Sequence, residues 1–205
     1  MVWAIGNPAQ NTALKELIHG QSSDRVVAIV GGAILEDALK SAMISRFRDT
    51  AGHNVNVNDK LFRVGGPLGF FMPKIDFGYQ LYMFEKPIRN AMYGIADIRN
   101  LFGHQLDMTF ESSNNKLIDA ANKLTPHEGR THYPIPHWEA QNSEYELEPT
   151  STIREMFFVN LKLCLIWLFG DYNRHQLNSN IPLTWGPMQF ASPDKPPEPN
   201  KPHQP

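Results

Sequence analysis

An arginine, an asparagine and a histidine stand close together at 98–104, in the stretch IRNLFGH. Arg99 can hold a phosphate through two hydrogen bonds and stabilise developing negative charge. His104 can move a proton near neutral pH. Together they are a minimal set for metal-independent RNA cleavage, in which a 2′-hydroxyl attacks the neighbouring phosphate. On a helix Asn100 and His104 share a face, whereas Arg99 and His104 lie about 140° apart. Gly103 as a left-handed C-cap would let His104 swing back toward Arg99. The competing expectation is structural. His104 would then cap the helix C-terminus, where a cation is favoured, and Arg99 would pair with Asp97, Asp107 or Glu36.

Other candidates are weaker. His127, His132 and His137 recur every five residues, but in an irregular stretch and with no cysteine to support a metal site. Glu36–Asp37 and Asp24–Arg25 read as a solvated or interface face rather than an acid–base pair. GGPLG lacks the Lys-Ser/Thr of a P-loop. No cofactor or metal is expected.

The elements that must position these residues are helical. A short helix is expected over 10–20, with Leu14, Leu17 and Ile18 on its apolar face and Gly20 at its end. A long one spans 23–48, capped by Ser22 or Ser23, with Asp24 in the first turn. Its apolar spacing follows Val26, Val30, Ala33 or Ile34, and Ala38. Gly31–Gly32 costs roughly 1 kcal/mol per glycine, which suggests close approach by another helix or a locally soft segment. A loop follows, from which Leu61 and Phe62 plug into the core. A helix starts near Pro73 with Ile75, Tyr79 and Tyr82 on its stripe, and another runs from Pro87 to about Phe102. Ile88, Met92, Ile95, Ile98 or Arg99, and Phe102 form its inner side. LDMTFESS is a short extended link, and Leu117, Ala120, Ala121 and Leu124 mark a further helix. Thr152 and Glu155 form a capping box that opens an apolar helix. Its 156–169 run is too short for the ~20 residues a bilayer needs, and Gly170 is expected to end it. The reading is an all-α bundle of about six helices over 10–170. A C-terminal extension follows at 171–205, Pro-rich and disordered from about 192.

Composition narrows the partners. The chain has 205 residues, 41% of them hydrophobic and 11% aromatic, enough for a real core. Its net charge is −2, from 19 basic and 21 acidic residues, so direct DNA binding is not expected. Residues 126–150 form an acidic loop with one arginine against five glutamates. The single cysteine, Cys164, excludes an intrachain disulfide and fits a reducing cytosol. The N-terminus has neither the charge nor the apolar run of a signal peptide. A cytoplasmic location and no membrane contact are therefore expected.

Three pieces stand in the order and spacing of the mannitol operon repressor-like family, which residues 12–125 resemble. They are the Asp-Arg opening of SSDRVVAIVGGAILEDALKSAMISRF, the turn in LFRVGGPLGFFMPKIDFGYQLYMF, and the corner in IADIRNLFGHQLDMTF. The resemblance implies a helical fold and a non-enzymatic role in transcriptional regulation. With no basic recognition helix in the sequence, that role would run through a protein partner. The Arg99–Asn100–His104 corner also resembles the HEPN superfamily of helical bundles. That likeness implies the alternative, a metal-independent endoribonuclease of toxin or defence type. Arg99 would hold the phosphate, His104 would move the proton, and Asn100 would orient His104 at a homodimer interface. A homodimer would form through the glycine-bearing long helix or the apolar helix at 152–169. RNA is the partner only under this alternative.

Overall fold

The computed structural model describes residues 12, 13, 16, 17, 22–46, 57–124 and 152–179. They form an all-α bundle with no strand among the described residues. Six helices are α1 (Asp24–Arg46), α2 (Val57–Phe62), α3 (Phe71–Gln80), α4 (Lys86–His104), α5 (Asn115–Ala121) and α6 (Ile153–Ser179). Residues 12, 13, 16 and 17 are helical too, and Leu17 is in the core. The 126–150 stretch, with His127, His132 and His137, and the tail beyond 179 lie outside the described residues.

Helix starts follow local chemistry. The Ser23 carbonyl and hydroxyl take the Val27 and Val26 N–H groups at the start of α1. Asn114 caps α5 by accepting from Lys116 N–H. At α6 the capping box closes both ways: Glu155 N–H donates to Thr152 Oγ1 at 3.2 Å, and Thr152 N–H donates to Glu155 Oε2 at 3.1 Å.

The core lies where α1, α4 and α6 meet, with α3 and α5 closing its sides. Phe102, Phe110 and Phe157 stack in series, their centroids 4.8 Å and 5.6 Å apart. The expected inner side of α4 is the observed one: Ile88, Met92, Ile95, Ile98 and Phe102 are buried. Phe62 is also buried, and Leu61 packs against the core.

Four expectations are corrected. The centre of the α1 stripe is shifted by one residue, to Val27, Gly31, Leu35 and Leu39. Of the residues expected there, Ile34 is buried and Val30 and Ala38 pack half-buried against the core, but Val26 and Ala33 are exposed. Apolar residues surround this helix, so periodicity alone admitted both phases. Packing decides it, because a Cβ on Gly31 would meet Phe157 Cε1 at 3.0 Å and Leu161 Cδ2 at 3.1 Å. Tyr82 is not on the α3 stripe; the helix ends at Gln80 and Tyr82 is 91% exposed with φ 54°. Gly170 does not end α6, which continues to Ser179; one interior glycine costs only about 1 kcal/mol. The LDMTFESS link, expected to be extended, turns at 106–107 and again at 110–111, and inserts Met108 and Phe110 into the core.

Candidate functional site

α4 delivers Arg99 to α1 at Gly32. A Cβ there would lie 2.6 Å from Arg99 Cδ and 3.0 Å from its Cβ, so only glycine lets the arginine stem cross. Beyond the glycine, Arg99 Nη1 donates to Glu36 Oε2 at 2.5 Å. The other carboxylate oxygen, Oε1, accepts from Lys74 Nζ on α3, also at 2.5 Å. Lys74 is 3% exposed and also reaches the Gly69 carbonyl at 3.5 Å. Burial pushes the Glu36 carboxyl up, but the hydrogen bonds and charges of Lys74 and Arg99 outweigh it and hold it below the usual carboxylate range. One carboxylate thus ties three helices together, with a guanidinium on one side and an ammonium on the other.

His104 does not join this group. α4 runs unbroken through Gly103, whose φ is not in the left-handed region and around which there is open space. The expected left-handed cap at Gly103 is absent, and Arg99 and His104 keep the helical offset of about 140°. Both Asn100 and His104 are exposed, and no hydrogen bond joins them. The C-terminus of α4 is capped from another helix: Arg25 Nη1 donates to the Gln105 carbonyl at 3.1 Å, and Nη2 to that of Gly103 at 3.4 Å. Capping therefore falls to Arg25 rather than to the His104 side chain.

The residue before Arg25 does as much. Asp24 Oδ1 accepts from Arg154 Nη1 of α6, and Oδ2 from the Phe110 N–H at 2.9 Å. Arg154 Nη2 also donates to the Ser22 carbonyl at 3.0 Å. Asp24–Arg25 and Glu36–Asp37 were expected on a solvated or interface face. Asp37 is exposed, but Asp24 and Arg25 join the start of α1 to α6 and to the end of α4, and Glu36 joins α1 to α3 and α4. Of the three carboxylates considered for Arg99, Glu36 is the partner, and Asp97 pairs with Lys123.

Of the two helices expected to serve dimerisation, the glycines of α1 and the inner side of α6 are covered within the chain, while Phe158, Val159, Ile166 and Trp167 of α6 are half-buried. Gly31 is filled by Phe157 and Leu161 of α6, and Gly32 by Arg99. Phe157, Leu161, Cys164, Leu165 and Leu168 of α6 lie in the intrachain core.

Sequence reasoning missed Lys74. The signal was there: it falls three residues after Phe71 and next to Ile75, inside the buried phase of α3, where a lysine requires a counter-charge. Among the described residues no group of His, Cys, Asp and Glu is placed to hold a metal ion. Nor is any described helix long and apolar enough to cross a membrane. Comparison with known protein families, curated proteins and solved structures gave no match.

Proposed function

We propose that the chain is a non-enzymatic helical regulator of the mannitol-repressor-like kind, acting through a protein partner, and that its Arg-Asn-His corner is a structural joint. The observation that supports this is the double engagement of Glu36. A guanidinium held at 2.5 Å by a half-buried carboxylate, itself shared with a buried lysine, is committed to the fold. Binding a scissile phosphate would require Arg99 to give up that carboxylate, which carries the same charge as the phosphate and repels it. His104, a third of a turn or more away and exposed, is not positioned to act on the same phosphate. The overall charge of −2 supports a protein partner over a nucleic acid.

The test is incubation of the purified protein with mixed RNA in the presence of a chelator, beside an Arg99→Ala/His104→Ala variant. The RNA is expected to stay intact with both proteins. Cleavage by the parent alone, leaving 2′,3′-cyclic phosphate ends, would overturn the reading in favour of the endoribonuclease.

A further inference from the structure

α3 is capped at both ends by the wrong residues for stability. Its N-cap is Phe70, whose side chain makes no capping hydrogen bond, where Ser, Asp or Asn would supply one. Its C-terminus is a Schellman turn: Met83 N–H donates to the Gly78 carbonyl at 3.1 Å, and Tyr82 N–H to that of Tyr79 at 3.0 Å. The left-handed position of that turn, normally glycine, is Tyr82, with φ 54°. Neither aromatic ring returns the cost through burial, since Phe70 is 63% exposed and Tyr82 91% exposed. Strain with no gain to the fold is characteristic of sites kept for function.

These rings are part of a concentration. Among the described residues, Val64 (89% exposed) and Phe77 (40%) belong to the same helix or the turn before it. Phe70 and Phe77 are seven residues apart and share a flank of α3. That flank lies away from Asp76 and Tyr79, which meet Arg89 of α4. Four of the seven exposed large apolar side chains among the described residues thus fall on α3 and its flanking turns, the kind of exposure that marks an interaction surface. The surroundings are basic in a chain that is acidic overall. Of the four basic side chains in residues 60–86, Lys74 is buried on Glu36, whereas Lys60, Arg63 and Lys86 are exposed with no carboxylate partner among the described residues. Of the two acidic ones, Asp76 is taken by Arg89 and Glu85 is exposed.

We infer that α3 and its two flanking turns are a docking surface for an acidic peptide segment of a protein partner, with Tyr82 and Phe70 as its aromatic anchors. This rests on the reading that the chain acts through a protein. The ten-residue helix is about 15 Å long, a span matched by roughly five residues of extended peptide. Three exposed cations complement a few carboxylates, whereas a nucleic acid or an anionic membrane is held by a larger basic array.

The test uses the full chain, immobilised, and a phage-displayed library of random 12-residue peptides. Selection runs in parallel against a Phe70→Ser/Tyr82→Gly variant. Both substitutions are expected to raise the thermal midpoint, by adding an N-cap and relaxing the left-handed residue, so lost binding cannot be ascribed to unfolding. The expected result is enrichment, on the parent only, of peptides pairing Asp or Glu with an apolar anchor. The enriched peptide, once synthesised, should bind the variant about tenfold or more weakly and should weaken with added salt. Equal binding to parent and variant, or enriched peptides without acidic residues, would overturn the inference. So would variant-sensitive binding of phosphatidylserine vesicles in place of peptide. RNA cleavage by the parent would instead overturn the regulator reading and leave the peptide result intact.

Discussion

Arg99 of α4 crosses α1 at Gly32 and ends with its Nη1 atom 2.5 Å from Glu36 Oε2. Glycine and glutamate stand four residues apart on one face of α1, so a single turn supplies both the gap and the charge. Lys74 on the other carboxylate oxygen extends the joint to α3.

Removing the shared carboxylate should cost more than removing one of its partners. Glu36→Gln leaves Lys74 buried and without a counter-charge, and is expected to lower unfolding stability by about 2–4 kcal/mol. Lys74→Met keeps the Glu36–Arg99 pair and fills the space with apolar atoms, so a loss of less than about 1.5 kcal/mol is expected. Urea denaturation of the two variants measures the difference.

The depressed Glu36 carboxyl sets a pH dependence. Its folded-state pKa is below its unfolded value of 4.5, so the folded state binds the proton less readily than the unfolded chain. The associated stability is complete above about pH 5 and is lost as pH falls through 4.5 and below. Asp76, held down by hydrogen bonds from Tyr93 and Arg89, acts in the same direction at slightly lower pH. Thermal midpoints between pH 7 and pH 3 should fall on the acid side, and less steeply in Glu36→Gln.

The glycines of the corner have opposite roles. Gly32→Leu must displace Arg99 and should destabilise by about 2 kcal/mol or more despite the better helix propensity. Gly103→Ala meets nothing within 4 Å and sits in ordinary helical backbone, so it should stabilise by about 0.5–1 kcal/mol. A destabilised Gly103→Ala would instead mean that residue 103 turns left-handed.

Much of the bundle was legible because periodicity and capping agreed. The inner side of α4, the caps of α1 and α6, and the Leu117–Leu124 stripe were all readable from local chemistry. Most of what was not legible depended on partners far along the chain. The phase of α1 is set by Phe157, about 130 residues away; the end of α3 was hidden for a local reason instead, a Schellman turn built on a tyrosine where glycine is usual. In the corner, the residue types were readable but their use was not. Gly103 carries the sequence signal of a cap, yet Arg25 from α1 satisfies the carbonyls and leaves the helix free to continue. Glu36 was one of three possible carboxylates, and only the crossing at Gly32 selects it.

Cys164 offers a probe of global opening. It is fully buried in α6, and burial pushes its thiol far above the ordinary cysteine range. Modification by a thiol reagent at pH 8 is expected to be slow in the native protein and to track unfolding when urea is added. Rapid stoichiometric labelling of the native chain would place α6 outside the core.

The central claim, that Arg99 serves the fold through Glu36, is tested most directly by a double-mutant cycle. Unfolding free energies would be measured for the parent, Glu36→Gln, Arg99→Met and the double variant. A favourable coupling of about 1–3 kcal/mol is expected for a pair in contact. A coupling near zero, with Arg99→Met as stable as the parent, would contradict the account and release Arg99 for chemistry.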